Sequence, residues 1–257
     1  MELCIIVNPQ AGKKQGLAAA GMAAHLLLQN DITVETLISS YPGHTVAIAA
    51  ELDLSSWNGV LAVGGDGTLF ELITGLLRSN DGIPIPIGQV PVGTGNSFIR
   101  DLGVNSIEDT IKHILRRNVL KVDLGHFSCA AGEHDYFNLT AGFYPGFVSN
   151  VVYRAKKYRS RFTGGNMMMA AAAAIDDGLL DIVLLNRIPR ATLLKLFPRI
   201  FKGTQVRAES VEVFRGKKTF LHTEHPLPLT FDGESFGSTP IEVCIYPRKV
   251  EMSGCSS

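Results

Sequence analysis

Residues 60–77 pass from a four-residue apolar run, Val60-Leu61-Ala62-Val63, through Gly64-Gly65-Asp66-Gly67-Thr68 into a helical pattern of Leu69, Leu72, Ile73, Leu76 and Leu77. A short run that is apolar throughout reads as a parallel strand buried on both faces. Spacings of three and four put the later residues on one helix face. The glycines therefore lie where a strand ends and a helix begins, which restricts the chain to folds that join parallel strands through helices. At such a helix start, N–H groups lack intrahelical partners and the helix dipole favours an anion. Glycine lets a phosphate approach the backbone, and Asp66 sets a carboxylate beside it. A carboxylate facing phosphate is repelled unless it holds Mg²⁺ or takes a proton from a nucleophile. A plain Asp-Gly turn is the competing reading. The flanking glycines, Thr68 and the strand-to-helix setting favour the phosphate site.

The same alternation fills the first half. Residues 3–7, 33–38, 60–63 and 85–90 read as strands, and 17–28, 45–52 and 107–116 as helices. This predicts a doubly wound parallel α/β domain over 1–121, with ligands at the C-terminal ends of its strands. From 122 to 257 the texture changes to short strand-like segments at 119–124, 136–141, 179–185, 206–214, 227–231 and 241–246. One helical stretch, 192–202, interrupts them, and the expectation is an antiparallel β-sandwich domain.

Composition narrows the partners. Lys plus Arg equals Asp plus Glu at 24 each, so there is no general pull toward nucleic acid. Cys4, Cys129, Cys244 and Cys255 form no C-x-x-C pair, which argues against a zinc knuckle or a disulfide framework and fits a reducing cytosol. The seven histidines show no metal-ligand spacing. The chain enters its first strand without a signal peptide's basic start, and no apolar stretch reaches the ~18 residues that span a bilayer. A cytoplasmic protein with peripheral membrane contact is expected.

Three glycine-bearing turns follow predicted strands. Asn8-Pro9-Gln10-Ala11-Gly12-Lys13-Lys14 follows the first, the 64–68 turn the third, and Pro91-Val92-Gly93-Thr94-Gly95-Asn96-Ser97 the fourth. In a doubly wound sheet such turns gather on one edge, where they could enclose a single polyphosphate. There is no Walker A loop, since Gly216-Lys217-Lys218-Thr219 lacks its upstream glycine, and no G-x-G-x-x-G follows the first strand.

The trio NPQAG, GGDGT and PVGTGN, in this order and spacing, resembles the diacylglycerol kinase catalytic family, which includes bacterial lipid kinases and sphingosine and ceramide kinases. The resemblance continues through Val122-Asp123-Leu124-Gly125, Phe137-Asn138, Asp176-Asp177-Gly178-Leu179-Leu180-Asp181 and Asp232-Gly233-Glu234, nearly the whole chain. It implies transfer of the γ-phosphate of ATP to the hydroxyl of a lipid such as diacylglycerol, dependent on Mg²⁺, in a cleft between the two domains. By position, Asn8, Gly12, Lys13, Gly64, Gly65, Gly67 and Thr68 resemble the ATP-phosphate cradle, while Gly93, Thr94 and Asn96 would line nucleotide or headgroup. Asp66 resembles the central acid, acting through Mg²⁺ or as the base toward the lipid hydroxyl. Asp232 and Glu234 resemble an acidic pair from the second domain, and Asp123 a further carboxylate of the metal–water network. The turn 177–180, with Asp177 and Leu180, resembles a structural Mg²⁺ site.

The chain departs from the family pattern in three places. Ser97 stands where bacterial diacylglycerol kinases usually carry Asp, which leaves the lipid open, and Ala11 replaces a common Ser. Between Ser160 and Arg161 a long stretch of helices and strands is missing. Omitted residues are the favoured explanation; a true deletion would put activity in question. Two alternatives stand beside the lipid kinase: a kinase of NAD, although no G-S-T-A-Y-type motif is present, and a homologue that binds nucleotide or lipid without turnover. A homodimer is left open. For membrane contact, residues 189–202 set Leu193, Leu194, Leu196, Phe197, Ile200 and Phe201 against Arg190, Lys195, Arg199 and Lys202, with Pro198 expected to kink the segment. Such a segment can lie in a lipid interface or cap the sandwich core. The five basic residues within 153–161 are a second, weaker candidate.

Overall fold

The computed structural model describes residues 1–80, 82–93, 96–136, 138–141, 154–158, 162–163, 167–168, 170–186, 189–231 and 234–255. The chain divides into two compact units, Met1–Val122 with Arg248–Ser257, and Asp123–Pro247.

In the first unit the order is β1 (Glu2–Val7), α1 (Ala11–Lys14), α2 (Gly16–Leu28), β2 (Thr33–Ile38), α3 (His44–Glu51), β3 (Gly59–Gly64), α4 (Asp66–Ser79), β4 (Ile87–Pro91) and α5 (Ile107–Leu115). The strands lie β2-β1-β3-β4, and every neighbouring pair is parallel. Leu3, Ile5, Val7, Leu61, Val63 and Val90 form one core with Ala20, Ala23 and Leu27 of α2 and Ile111 and Ile114 of α5. On α4, a Cβ at Gly75 would stand 2.4 Å from the Val46 carbonyl oxygen, so α3 and α4 approach as closely as glycine permits. The chain turns from β1 to one side and from β3 to the other. The loops leaving these two strands therefore part at the switch point, where doubly wound sheets hold their ligands.

β5 (Val119–Cys129) leads into the second unit. There follow β6 (Gly132–Tyr136), β7 (Asn138–Ala141), β8 (Arg154–Tyr158), β9 (Phe162–Thr163), β10 (Met167–Met168), β11 (Leu180–Leu185), α6 (Arg190–Leu196), β12 (Val211–Gly216), β13 (Lys218–Leu221), β14 (Pro228–Phe231), β15 (Glu234–Ser238) and β16 (Ile241–Ser253). Six of them make a sheet, β12-β11-β8-β7-β14-β15, paired antiparallel throughout. An α/β unit with an antiparallel β unit is the class the alternation predicts. The four cysteines are unbridged. Among the described residues no helix is long and apolar enough to cross a membrane.

Three expectations need correction. Thr204–Arg207 is a 3-10 turn, and β12 starts only at Val211, so 206–214 is not one strand. β16 does not stop near Tyr246. It runs on through Pro247 and Arg248, with Ile241, Val243 and Ile245 buried on one side of that point and Val250 and Met252 on the other. The alternation slips by one residue where Arg248 takes φ 51°, as an inserted residue does in a strand. Met252 then lies parallel to Ile87, and a Cβ at Gly254 would stand 2.7 Å from that of Leu102. Residues 248–257 thus belong to the first unit and not, with the rest of 122–257, to the second. Lastly, the sequence runs unbroken through Ser160-Arg161, so the shortening belongs to the chain itself; the junction lies outside the described residues.

Candidate functional site

The three glycine turns of the first unit meet through their backbones. Asn8 donates its N–H to the Val63 carbonyl (3.2 Å), which ties the first turn to the end of β3. Its own side-chain oxygen accepts from the Gln10 N–H (2.9 Å), and its carbonyl from Ala11 (3.1 Å). Gly12, Lys13 and Lys14 then occupy the left-handed region at φ 56°, 60° and 70°. Three such residues in a row are uncommon, and two of them carry side chains. Left-handed backbone of this kind collects where a ligand is gripped. Gly16, absent from the predicted cradle, opens α2 so close to Asn8 that a Cβ would stand 2.1 Å from its carbonyl oxygen.

The second turn is fixed from beneath. The Gly64 carbonyl accepts from the Gln89 side-chain amide (3.1 Å) and from the Val92 N–H (3.3 Å). Gln89 is buried in β4, and sequence reasoning passed over it because a lone polar residue in a strand carries no signal of a partner 25 residues away. Thr68 is buried, and its hydroxyl fills the space that a Cβ on Gly64 would need. Gly65 is the extended residue before α4. Gly67 differs from its neighbours: among the described residues, and apart from its own helix, no atom lies within 4 Å of where its Cβ would be, and its φ is not left-handed.

The third turn closes on both others. A Cβ on Gly12 would meet the Gly93 nitrogen at 2.9 Å, and one on Gly93 would meet the Gly12 Cα at 3.3 Å. Asn96 donates its side-chain amide to the Gly93 carbonyl (3.0 Å), while its buried Oδ1 has no hydrogen-bond partner among the described residues. That oxygen sits 3.8 Å from the Cβ position of Gly65. Thr94 lies outside the described residues.

Asp66, the first residue of α4, turns its carboxylate toward the third turn. It accepts from the Ser97 N–H (2.8 Å) and more loosely from the Phe98 N–H (3.5 Å). Burial pushes its carboxyl above the usual carboxylate range; the hydrogen bonds from Ser97 and Phe98 and the charge of Arg100 oppose that push. Ionisation of this acid is thus moved to higher pH than that of an ordinary aspartate, and the long second bond leaves room at the carboxylate for a proton or a cation.

The acids of the second unit are differently placed. Asp123 is buried and accepts from the Gly178 N–H (2.8 Å), while its own N–H donates to Ile175 (2.8 Å), so it pins the 175–178 turn. Asp177 accepts from the Leu179 N–H (3.0 Å), and Arg215 bridges its carboxylate to that of buried Asp181. Burial raises the Asp181 carboxyl, and Arg215 opposes this. Asp181 and Arg215 face each other across β11 and β12. Leu180 is buried beside this pair. A guanidinium therefore already pairs with the carboxylate of the turn assigned to a structural cation. At Asp66, one carboxylate beside a phosphate cradle does suit Mg²⁺, which takes few protein ligands and completes its shell with phosphate and water. Asp232 and the Glu234 side chain lie outside the described residues.

Comparison with known proteins agrees with this layout. The family model for the diacylglycerol kinase catalytic domain matches residues 2–127, and that for the YegS C-terminal NAD kinase beta sandwich-like domain matches 151–254. A diacylglycerol kinase of Mycobacterium tuberculosis is 24% identical over 295 aligned positions, covering 96% of this chain and 93% of its own. Those positions outnumber the 257 residues here, so that relative carries insertions this chain lacks. Sphingosine kinase 2 of Homo sapiens is 27% identical over 186 positions, 65% of this chain and 28% of its own. Among solved structures, a diacylglycerol kinase from Bacillus anthracis superposes with a TM-score of 0.77 at 20% identity, covering 98% of this chain and 96% of that one. An NAD kinase from Archaeoglobus fulgidus in complex with ATP shares the fold at a TM-score of 0.54 and 13% identity, covering 98% and 93%.

Proposed function

Because this chain belongs to the diacylglycerol kinase catalytic-domain family, a family of lipid kinases, we propose that it transfers the γ-phosphate of ATP to the hydroxyl of diacylglycerol or a closely related lipid alcohol. The observation that carries the reading is Gly67. A glycine costs up to about 1 kcal/mol relative to alanine in a helix interior, and less in the first turn. Here neither φ nor packing against the described residues requires it. The space before it is left clear at the positive end of α4, where backbone N–H groups face an incoming phosphate.

Phosphoryl transfer needs charge neutralisation and in-line positioning more than covalent chemistry. The turns around Gly12, Gly67 and Gly93 hold the polyphosphate, and Lys13, exposed beside the first, adds a positive charge. Asp66 receives the hydroxyl proton as the lipid oxygen bonds to the γ-phosphorus and the bond to the β–γ bridging oxygen breaks, releasing ADP. Mg²⁺ on the same carboxylate would supply the further neutralisation that the bridging oxygens demand.

The test is transfer from radiolabelled ATP to diacylglycerol, ceramide, sphingosine, phosphatidylglycerol and undecaprenol, with and without Mg²⁺. Label should enter diacylglycerol and only when Mg²⁺ is present. No label in any lipid would overturn the proposal. Phosphorylation of added NAD would instead favour the activity named for the Archaeoglobus neighbour.

A further inference from the structure

α6 continues without a break into the 3-10 turn Phe197–Lys202, and together they carry two apolar stripes. Leu193, Leu196 and Ile200 are buried or half-buried and face the protein. Leu194, Phe197 and Phe201, at spacings of three and four, face outward at 61%, 49% and 48% exposure. The two phenylalanines meet edge to face at 5.8 Å, so the stripe is a continuous surface. Lys195, Arg199 and Lys202 stand exposed around it. The segment is fixed, not fraying: Gly203 ends it at φ 66°, its Cβ position 2.5 Å from the Cβ of Ala171, and buried Gln205 donates to the Met168 carbonyl (2.6 Å). Pro198 sits at the start of the tighter 3-10 turn, where its missing N–H costs nothing.

Charge names the partner. Five basic residues and no acidic one lie between Pro189 and Ala208, in a chain whose net charge is zero. A protein partner would need a matching acidic groove. A bilayer of anionic lipid answers both features at once, taking the aromatic stripe between its headgroups and the cations at its surface. We infer that the outward stripe Leu194, Phe197 and Phe201, with Lys195, Arg199 and Lys202, is the face by which the second unit docks on an anionic membrane. The inference deepens the lipid-kinase reading, since a lipid substrate must be reached at its surface. The other basic run, 153–161, has no described side chains and adds nothing.

The experiment is co-sedimentation of the full chain with vesicles of equimolar phosphatidylglycerol and phosphatidylcholine, without ATP, against vesicles of phosphatidylcholine alone. Wild-type protein should partition strongly onto the anionic vesicles. Leu194→Ser/Phe197→Ser/Phe201→Ser should lower that partitioning tenfold or more. Lys195→Gln/Arg199→Gln/Lys202→Gln should lower it about a hundredfold while leaving the fold intact, at about fivefold for each charge. In a Trp57→Phe background, Phe197→Trp should shift its emission to the blue on anionic vesicles. Failure of the wild type to bind, equal binding by both triple variants, or a wild-type dimer that the serine variant converts to monomer would each overturn the inference. Binding is read without turnover, so an inactive protein that docks would sink the kinase reading and leave this one standing.

Discussion

Asp66→Asn should lower kcat about a thousandfold and leave the protein at least as stable as before. On the proposed function, the activity loss follows from removing the carboxylate that would accept the proton or hold the cation, within the range that general acid–base groups contribute. The stability expectation follows from the sign of the shift. Burial raises the folded carboxyl above its ordinary value. The favourable contribution of such a group is complete below the ordinary carboxylate range and is lost as pH rises through the raised value. Above that raised value the ionised Asp66 is therefore a net cost to folding. Asparagine removes it while keeping an oxygen to accept from the Ser97 N–H. The wild-type acid limb of kcat/KM should accordingly lie above the range of an ordinary aspartate. Rate profiles against pH and thermal midpoints of both proteins test the pair. Full activity in Asp66→Asn, or a large drop in its midpoint, would place Asp66 among residues that only brace the third turn.

What could be read from the residues, and what could not, divides along a physical line. Val60–Val63 followed by glycines, and the same pattern after Val7 and Val90, is local information: a buried strand announces itself by composition and its end by glycine. That the three turns meet follows from parallel order, which the alternation of strand and helix already restricts. Contacts set by register were out of reach. Arg215 opposes Asp181 only because β11 and β12 pair as they do, and nothing in either segment marks the other. Gln89 was missed for the same reason, since it acts on a carbonyl 25 residues away, while Gly16 was missed because the close approach of α2 to the Asn8 carbonyl is a matter of loop geometry. The return of 248–257 to the first sheet was hidden by Pro247 and Arg248, which imitate a strand end in composition while the backbone passes through.

The glycines of the cradle should separate by sign. Gly12→Ala should destabilise the first unit, because φ 56° costs a side chain about 1–2 kcal/mol and overpacking adds about 1–3 kcal/mol. The new Cβ would meet Val92 Cγ1 at 2.4 Å and the Gly93 nitrogen at 2.9 Å. The side chain of Val92 can turn away, but the Gly93 backbone cannot, so the first and third turns must part and ATP affinity should fall with stability. Gly67→Ala should do the opposite to the fold. No described residue stands in its way, and alanine in place of glycine within a helix is worth up to about 1 kcal/mol, so the thermal midpoint should rise. Yet the methyl would occupy the space through which a phosphate reaches the N–H groups of α4, and KM for ATP should increase about tenfold or more, a steric loss of the kind a close backbone approach incurs. A structural glycine cannot give that combination, since removing it lowers stability and function together. Gly67→Ala with raised stability and unchanged KM would mean that the open space before α4 is simply solvent, and the phosphate site would have to lie elsewhere.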